Sequence, residues 1–291
     1  MSGIKQKIQN IIQLVPFPAV AMEVVRLVDN PKTSAAKLGE VISQDQALAA
    51  KVLKVANSPF YGFPKQISTI NFAIVVLGFE TLKEIVLSVS LASSLVNKLD
   101  KDFDLEKFWK HSLLVGLMTK HLAKDLNYRV SGEAFIAGLL HDVGILVVAQ
   151  YFKKEFQQII QIGKRREFTF EQIERRFLDN STHYEIGSLL AEKWNFPDQL
   201  VEAIAFHHQP HLAPKNPQLP SLVYLAEYVC FKLGLENIEY ADHDESFSAD
   251  LPAVLEVLKL DESFLNDGFI EKYRAKIQSD VMKNQIFSGE M

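Results

Sequence analysis

The segment from Phe135 to Phe152 is apolar almost throughout, yet a histidine and an acid, His141 and Asp142, stand side by side at its middle. Its length is about that of a bilayer-crossing helix. An ionised carboxylate is expensive in hydrocarbon, however, and Gly138 and Gly144 flank the pair. The segment therefore predicts two consecutive helices in the core of a soluble protein. A carboxylate buried there needs a cation or strong hydrogen-bond donors.

The rest of the chain repeats the helical signal. Apolar residues recur at spacings of three and four in Val20-Val24-Leu27-Val28, Leu48-Val52-Leu53-Val55 and Leu82-Ile85-Val86-Val89, and strand-like alternation is nearly absent. Asn30-Pro31, Asn57-Ser58-Pro59, Gly62-Phe63-Pro64, Asn195-Phe196-Pro197 and Gln209-Pro210 divide the chain into helices of ordinary length. The expected fold is all-α, a multi-helix bundle with an additional N-terminal helical subdomain. The polar stretch Asn97 to Lys107 predicts a boundary between residues 1–100 and a second domain at 101–235. Beyond it, the acidic, turn-rich segment NIEYADHDESFSAD and helical patterns at Leu251 to Leu260 and Phe264 to Met282 predict a C-terminal helical extension over 236–291.

With 48% apolar and 23% charged residues, the 291-residue chain can bury a large core. A net charge of -5 argues against a general grip on nucleic acid, which depends on clustered Lys and Arg. The segment Ala35 to Ser58 has a superficial helix-turn-helix look, and the acidic balance lowers its weight. Cys230 is the sole cysteine, lies in an apolar run and reads as a small core residue. The N-terminal stretch lacks the apolar core and small-residue cleavage site of a signal peptide, so the expected location is the cytoplasm, without membrane contact.

Six of the eight histidines lie between positions 111 and 208. His111 shares a helical face with Phe108, Val115 and Met118, so it points to a core. His183 follows Thr182 and precedes Glu185 in a capping-box arrangement, which places its ring on a first helical turn. His207 and His208 close a helix that starts at Pro197, and Glu227 lies among Val223, Tyr224 and Phe231. Alone, each has an ordinary structural reading, since a histidine on an apolar face is more often a hydrogen-bonded core residue. Together, neutral imidazoles and carboxylates without a nearby thiolate are the ligand set expected for one or two ions of Zn, Fe, Mn or Ni.

In order and spacing, His111, His141-Asp142, His183, His207-His208 and the acid at 227 resemble the HD phosphohydrolase superfamily. That resemblance implies a primary metal site of His111, His141, Asp142 and Glu227. It also implies a second site of His183, His207 and His208, as in the HD-GYP cyclic dinucleotide phosphodiesterases. The runs LVPFPAV (14–20), ISQDQALAAKVLKVANSPFYG (42–62) and ISTINFAIVVLG (67–78) narrow the match, since they are similar to motifs of the HDOD (HD-related output domain) family.

The chain departs from the hydrolases at four positions. Ile145 stands where catalytic HD-GYP enzymes carry a phosphate-facing Lys, Gln209-Pro210-His211-Leu212 replaces their Gly-Tyr-Pro signature, and Glu227 replaces Asp. Lys107 stands one turn before His111, where some trinuclear relatives carry Glu. The resemblance thus implies a signal-transduction output or adaptor protein that acts on a protein partner, with a nucleotide as a further candidate ligand. The alternative is a metal-dependent phosphohydrolase using Asp142 and its bound metal on a nucleotide or cyclic dinucleotide. A third reading is a purely structural helical scaffold. The basic run Lys164-Arg165-Arg166 with Arg175-Arg176, interleaved with Phe168, Phe170 and Phe177, reads as a solvated helix face or as a phosphate cradle. Asn57, Ser58, Pro59 and Tyr61 are expected to form a structural turn, with Asn57 capping the preceding helix.

Overall fold

Side-chain caps set where several helices of this chain begin. The computed structural model describes residues 4–15, 17–28, 30–57, 63, 66–94, 103–128, 131–165, 167–235 and 244–283. Every regular element among them is helical, and no strand occurs. The chain forms two compact units, one of residues 1–15 and 98–274, the other of residues 16–97 and 275–291. The first helix, α1 (Ile4–Leu14), belongs to the former.

The smaller unit contains α2 (Ala19–Val28), α3 (Ala35–Ser43), α4 (Gln46–Ala56), α5 (Ile70–Leu77) and α6 (Phe79–Ser94). Ser34, Asp45 and Thr69 accept from the backbone N–H three residues on and so start α3, α4 and α5. Val24, Leu38, Ile42, Val52 and Leu82 are fully or almost fully buried. Asn57 caps α4 as expected: its Nδ2 donates to the carbonyls of Leu53 and Ile67, and its Oδ1 accepts from Ile67 N–H at 2.6 Å. Ser58, Pro59 and Tyr61 lie outside the described residues.

The larger unit holds α7 (Leu105–Asp125), α8 (Ser131–Leu140), α9 (Val143–Tyr151), α10 (Lys153–Gly163), α11 (Phe170–Phe177), α12 (His183–Lys193), α13 (Asp198–Phe206), α14 (Gln218–Lys232) and α15 (Asp244–Leu258). The last helix, α16 (Asp267–Lys283), starts here, with Tyr273 Oη donating to Asp125 of α7. The apolar run of the sequence is α8 and α9, broken at His141-Asp142 and buried in the protein. Glycines let this core close. A Cβ on Gly138 would stand 2.8 Å from Gly116 Cα, so α7 and α8 meet backbone to backbone. A Cβ on Gly144 would collide with the His183 carbonyl and lie 2.8 Å from Gly187 N, so α9 and α12 do the same.

The compact units depart from the linear division predicted from sequence. Residues 1–15 group with the histidine-rich unit, because Ile8, Ile12 and Val15 are buried and Trp194 Nε1 donates to the Val15 carbonyl. Residues 244–274 group with the histidine-rich unit rather than forming a separate extension. Helix α15 begins at Asp244, inside the segment expected to be turn-rich, because Phe247 and Val254, seven residues apart, bury against Tyr224 of α14. Tyr224 Oη donates to the Phe247 carbonyl at 2.5 Å.

Gly144→Ala is expected to destabilise the protein by about 3 kcal/mol, because the added methyl meets backbone rather than a side chain that can move. The corresponding fall in Tm, read by scanning calorimetry, is roughly 6–12 °C; a shift below about 2 °C would contradict backbone contact between α9 and α12.

Candidate metal centre

Each ligand-type residue is delivered by a distinct feature of the helices. His111 lies on the buried face of α7, and His141 and Asp142 occupy the tight break between α8 and α9. His183 is the first residue of α12, behind a capping box in which Thr182 and Glu185 exchange hydrogen bonds. His207 and His208 follow the last turn of α13, and Glu227 projects from the middle of α14. All seven predicted residues come together. His111, His141, Asp142 and Glu227 offer ligand atoms within 4.8 Å of one another, and so do His183, His207 and His208. Except for His208, which is half-buried, they are all buried.

Asp142 joins the two groups. Its Oδ2 lies 3.2 Å from His141 Nε2, while its Oδ1 lies 3.3 Å from His183 Nε2 and 3.7 Å from His207 Nε2. Glu227 Oε1 lies 3.1 Å from His141 Nε2, and His208 Nε2 lies 3.2 Å from His183 Nε2.

The rings are oriented from behind. Nδ1 of His111 donates to the Leu235 carbonyl, Nδ1 of His141 to Gly138, and Nδ1 of His207 to Ile204, at 2.7 to 2.8 Å. Nδ1 of His183 donates to Glu174 Oε2 at 2.7 Å. A neutral imidazole with its proton on Nδ1 presents a bare lone pair at Nε2. His141 Nε2, His207 Nε2 and Glu227 Oε2 are buried and have no hydrogen-bond partner. Lone pairs of imidazole and carboxylate thus face one another across about 3 Å, an arrangement that only a shared cation stabilises.

Electrostatics give the same answer with protons as the cations. Burial alone would depress His141, yet the carboxylates of Asp142 and Glu227 push it well above the ordinary histidine value. Burial likewise opposes charging of His183, but Glu174 and Asp142 raise it to about 10. Burial would raise Asp142, and the adjoining His141 instead holds it well below the usual carboxylate range. His207 and His208 go the other way, the latter down to about 3, because burial disfavours their charge and His208 and His183 respectively stand beside them. The site gathers positive charge around Asp142 and leaves neutral nitrogen donors facing it. Such a donor set fits a divalent transition metal.

Three supporting residues escaped the sequence reading. Glu174, 1% exposed, is the acid behind His183, the Leu235 carbonyl orients His111 from the end of α14, and the Tyr184 ring packs against His207 and His208. Glu174 had a sequence signal, as an acid among the apolar positions of α11, but nothing in spacing connects it to His183. The basic run divides. Arg175 pairs with Glu171 and Glu185, Arg176 lines a hollow with Phe168 and Phe177, Lys164 and Arg165 are exposed at the end of α10, and Arg166 lies outside the described residues. Ile145, in the first turn of α9, is 3% exposed.

Comparison with known proteins agrees with this architecture. An uncharacterized protein of Treponema pallidum (strain Nichols) is 28% identical over 227 residues, which are 77% of this chain and 43% of that protein, so the chain spans less than half the length of this relative. The structure of an HDOD domain protein of Geobacter sulfurreducens superposes with a TM-score of 0.78 at 23% identity, over 96% of both chains. A protein of Shewanella amazonensis SB2B, provisionally named a phosphohydrolase, superposes with a TM-score of 0.74 at 25% identity, over 98% of this chain and 97% of that one. The model of the HDOD domain matches residues 14–210, which take in both the N-terminal motifs and six of the seven clustered side chains, and the chain therefore belongs to the HDOD domain family.

Proposed function

We propose that this protein is a signal-transduction output or adaptor protein whose HD-type core binds one or two divalent transition-metal ions and acts on a partner protein in the cytoplasm, with little or no turnover of substrate. The observation that carries the metal reading is the pair of buried nitrogens, His141 Nε2 and His207 Nε2, left without hydrogen-bond partners beside Asp142. His111, His141, Asp142 and Glu227 would hold one ion and His183, His207 and His208 a second, with Asp142 facing both. Zn, Fe, Mn and Ni all suit this donor set. When bound, such an ion would supply folding free energy and charge neutralisation for the buried acids.

The adaptor reading draws on what surrounds the cluster. Phosphoryl transfer spreads negative charge over the transferred oxygens, and a catalytic site meets it with preorganised cations or donors. Here Ile145 is aliphatic and buried, and Pro210 to Leu212 form a single 3-10 turn in place of a Gly-Tyr-Pro loop. Loss of one such electrostatic contact costs about two to three orders of magnitude in rate. In the smaller unit, Phe72 and Val75 of α5 are 43% and 75% exposed, an apolar surface suited to a protein partner. The second reading, a metal-dependent phosphohydrolase acting on a nucleotide or cyclic dinucleotide, is favoured by the complete ligand set.

Elemental analysis of the purified protein is expected to find about one or two transition-metal ions per chain, and removal of the metal is expected to lower Tm. Metal uptake must displace the protons on His141 and His183, so retention is expected to weaken as pH falls. His141→Ala combined with Asp142→Ala should abolish binding at the first site and lower Tm in the presence of metal; an equal or higher Tm would remove these residues from the ligand set.

With Mn, Fe, Ni and Zn loaded separately, cyclic dinucleotides, cyclic mononucleotides and dNTPs followed by chromatography are expected to remain intact. Turnover on the order of one per second, lost in Asp142→Ala, would establish the hydrolase instead.

A further inference from the structure

Four buried histidines approach the centre, and three are held from behind by neutral backbone carbonyls, those of Leu235, Gly138 and Ile204. His183 differs. Its Nδ1 donates to Glu174 Oε2 at 2.7 Å, and its backbone N–H reaches both carboxylate oxygens at 3.2 Å. Glu174 belongs to a different helix, α11, and is 1% exposed. Among the described residues, every side-chain hydrogen bond reaching its carboxylate comes from His183. The adjoining Arg175 is directed elsewhere, to Glu171, Tyr184, Glu185 and the Asn180 carbonyl.

Burying a carboxylate this deeply costs free energy that a backbone carbonyl in the same place would not. What a carboxylate adds is charge behind the ring: it fixes the proton on Nδ1 and makes the opposite nitrogen a stronger donor. That opposite nitrogen, His183 Nε2, stands where the two ligand groups meet, 3.3 Å from Asp142 Oδ1 and 3.2 Å from His208 Nε2.

We infer that Glu174 is the positioning residue for the ion held by His183, His207 and His208, acting through the Nδ1–H of His183 so that this ion, rather than the one at His111, His141, Asp142 and Glu227, depends on it. The inference rests on the metal-binding reading above. It adds a residue outside the ligand set and assigns the two ions different supports.

The test is zinc titration of the full chain against a chromophoric chelator, for wild type, Glu174→Gln, His183→Ala and the double variant. Glutamine keeps the size and an acceptor but loses the charge. The zinc whose affinity falls in His183→Ala is expected to weaken by about 10- to 100-fold in Glu174→Gln, and the other zinc by less than about 2-fold. In the His183→Ala background, Glu174→Gln should add no further loss. An independent readout is the low-field proton of His183 Nδ1–H in zinc-loaded and metal-free protein, expected in wild type and shifted upfield in Glu174→Gln. If wild type binds no zinc, the metal-binding reading falls and takes the inference with it. Two zincs bound with unchanged affinities in Glu174→Gln would overturn the inference alone, as would an additive loss in the double variant. Should Glu174→Gln fail to fold, Glu174→Asp, with its charge on a shorter arm, is measured the same way; an unchanged affinity for the zinc that His183→Ala weakens, with the proton resonance lost, would again overturn it.

Discussion

A carboxylate in the middle of an apolar segment cannot remain ionised without positive charge beside it, and Asp142 imposes that requirement on every element around it. Its Oδ2 is met by His141 and its Oδ1 by His183 and His207, from three separate places in the chain. Bringing those rings to one carboxylate requires α7, α8, α9, α12 and α13 to approach closely. The glycines at 116, 138, 144 and 187 make that approach possible by removing side chains where backbones touch. The core packing and the charge arrangement are therefore one constraint, since a helix displaced by a methyl group also displaces a side chain of the cluster.

Convergence alone would not make a metal site, because an imidazole can present either nitrogen. Here the tautomer is set by acceptors on the far side of each ring, three of them carbonyls at or near helix ends, where backbone acceptors lack intrahelical partners. Helix termini thus do two jobs: the chain turns there, and the turn leaves a carbonyl that aims a histidine. Asp142 and His183 likewise sit at helix starts, at the N-cap of α9 and the first position of α12.

Metal binding and phosphate chemistry make different demands on such a framework. Holding an ion needs only inward lone pairs and compensating charge. Hydrolysis of a phosphodiester also needs donors or cations aimed at the transferred oxygens. This chain keeps the former and has aliphatic Ile145, a short 3-10 turn at Pro210 to Leu212, and an arginine, Arg175, committed to neighbouring acids.

The sequence by itself determined the helical class, the burial of the Phe135 to Phe152 segment and the identity of the clustered residues. These depend on local periodicity, on the cost of charge in an apolar run, and on short signals such as Thr182 to Glu185 and the His-Asp pair. It did not reveal that residues 1–15 belong with the histidine-rich unit or that the helix from Asp244 starts inside an acidic, turn-like segment. Both follow from contacts between residues far apart in sequence, Trp194 with Val15 and Tyr224 with Phe247. Nor could spacing pair Glu174 with His183 or Leu235 with His111, because a hydrogen bond across a helix interface has no fixed period along the chain. Residue types and local pattern chose the clustered side chains; only tertiary packing decided which nitrogen of each histidine faces the centre, because that choice belongs to acceptors contributed by other helices and by the chain's own turns.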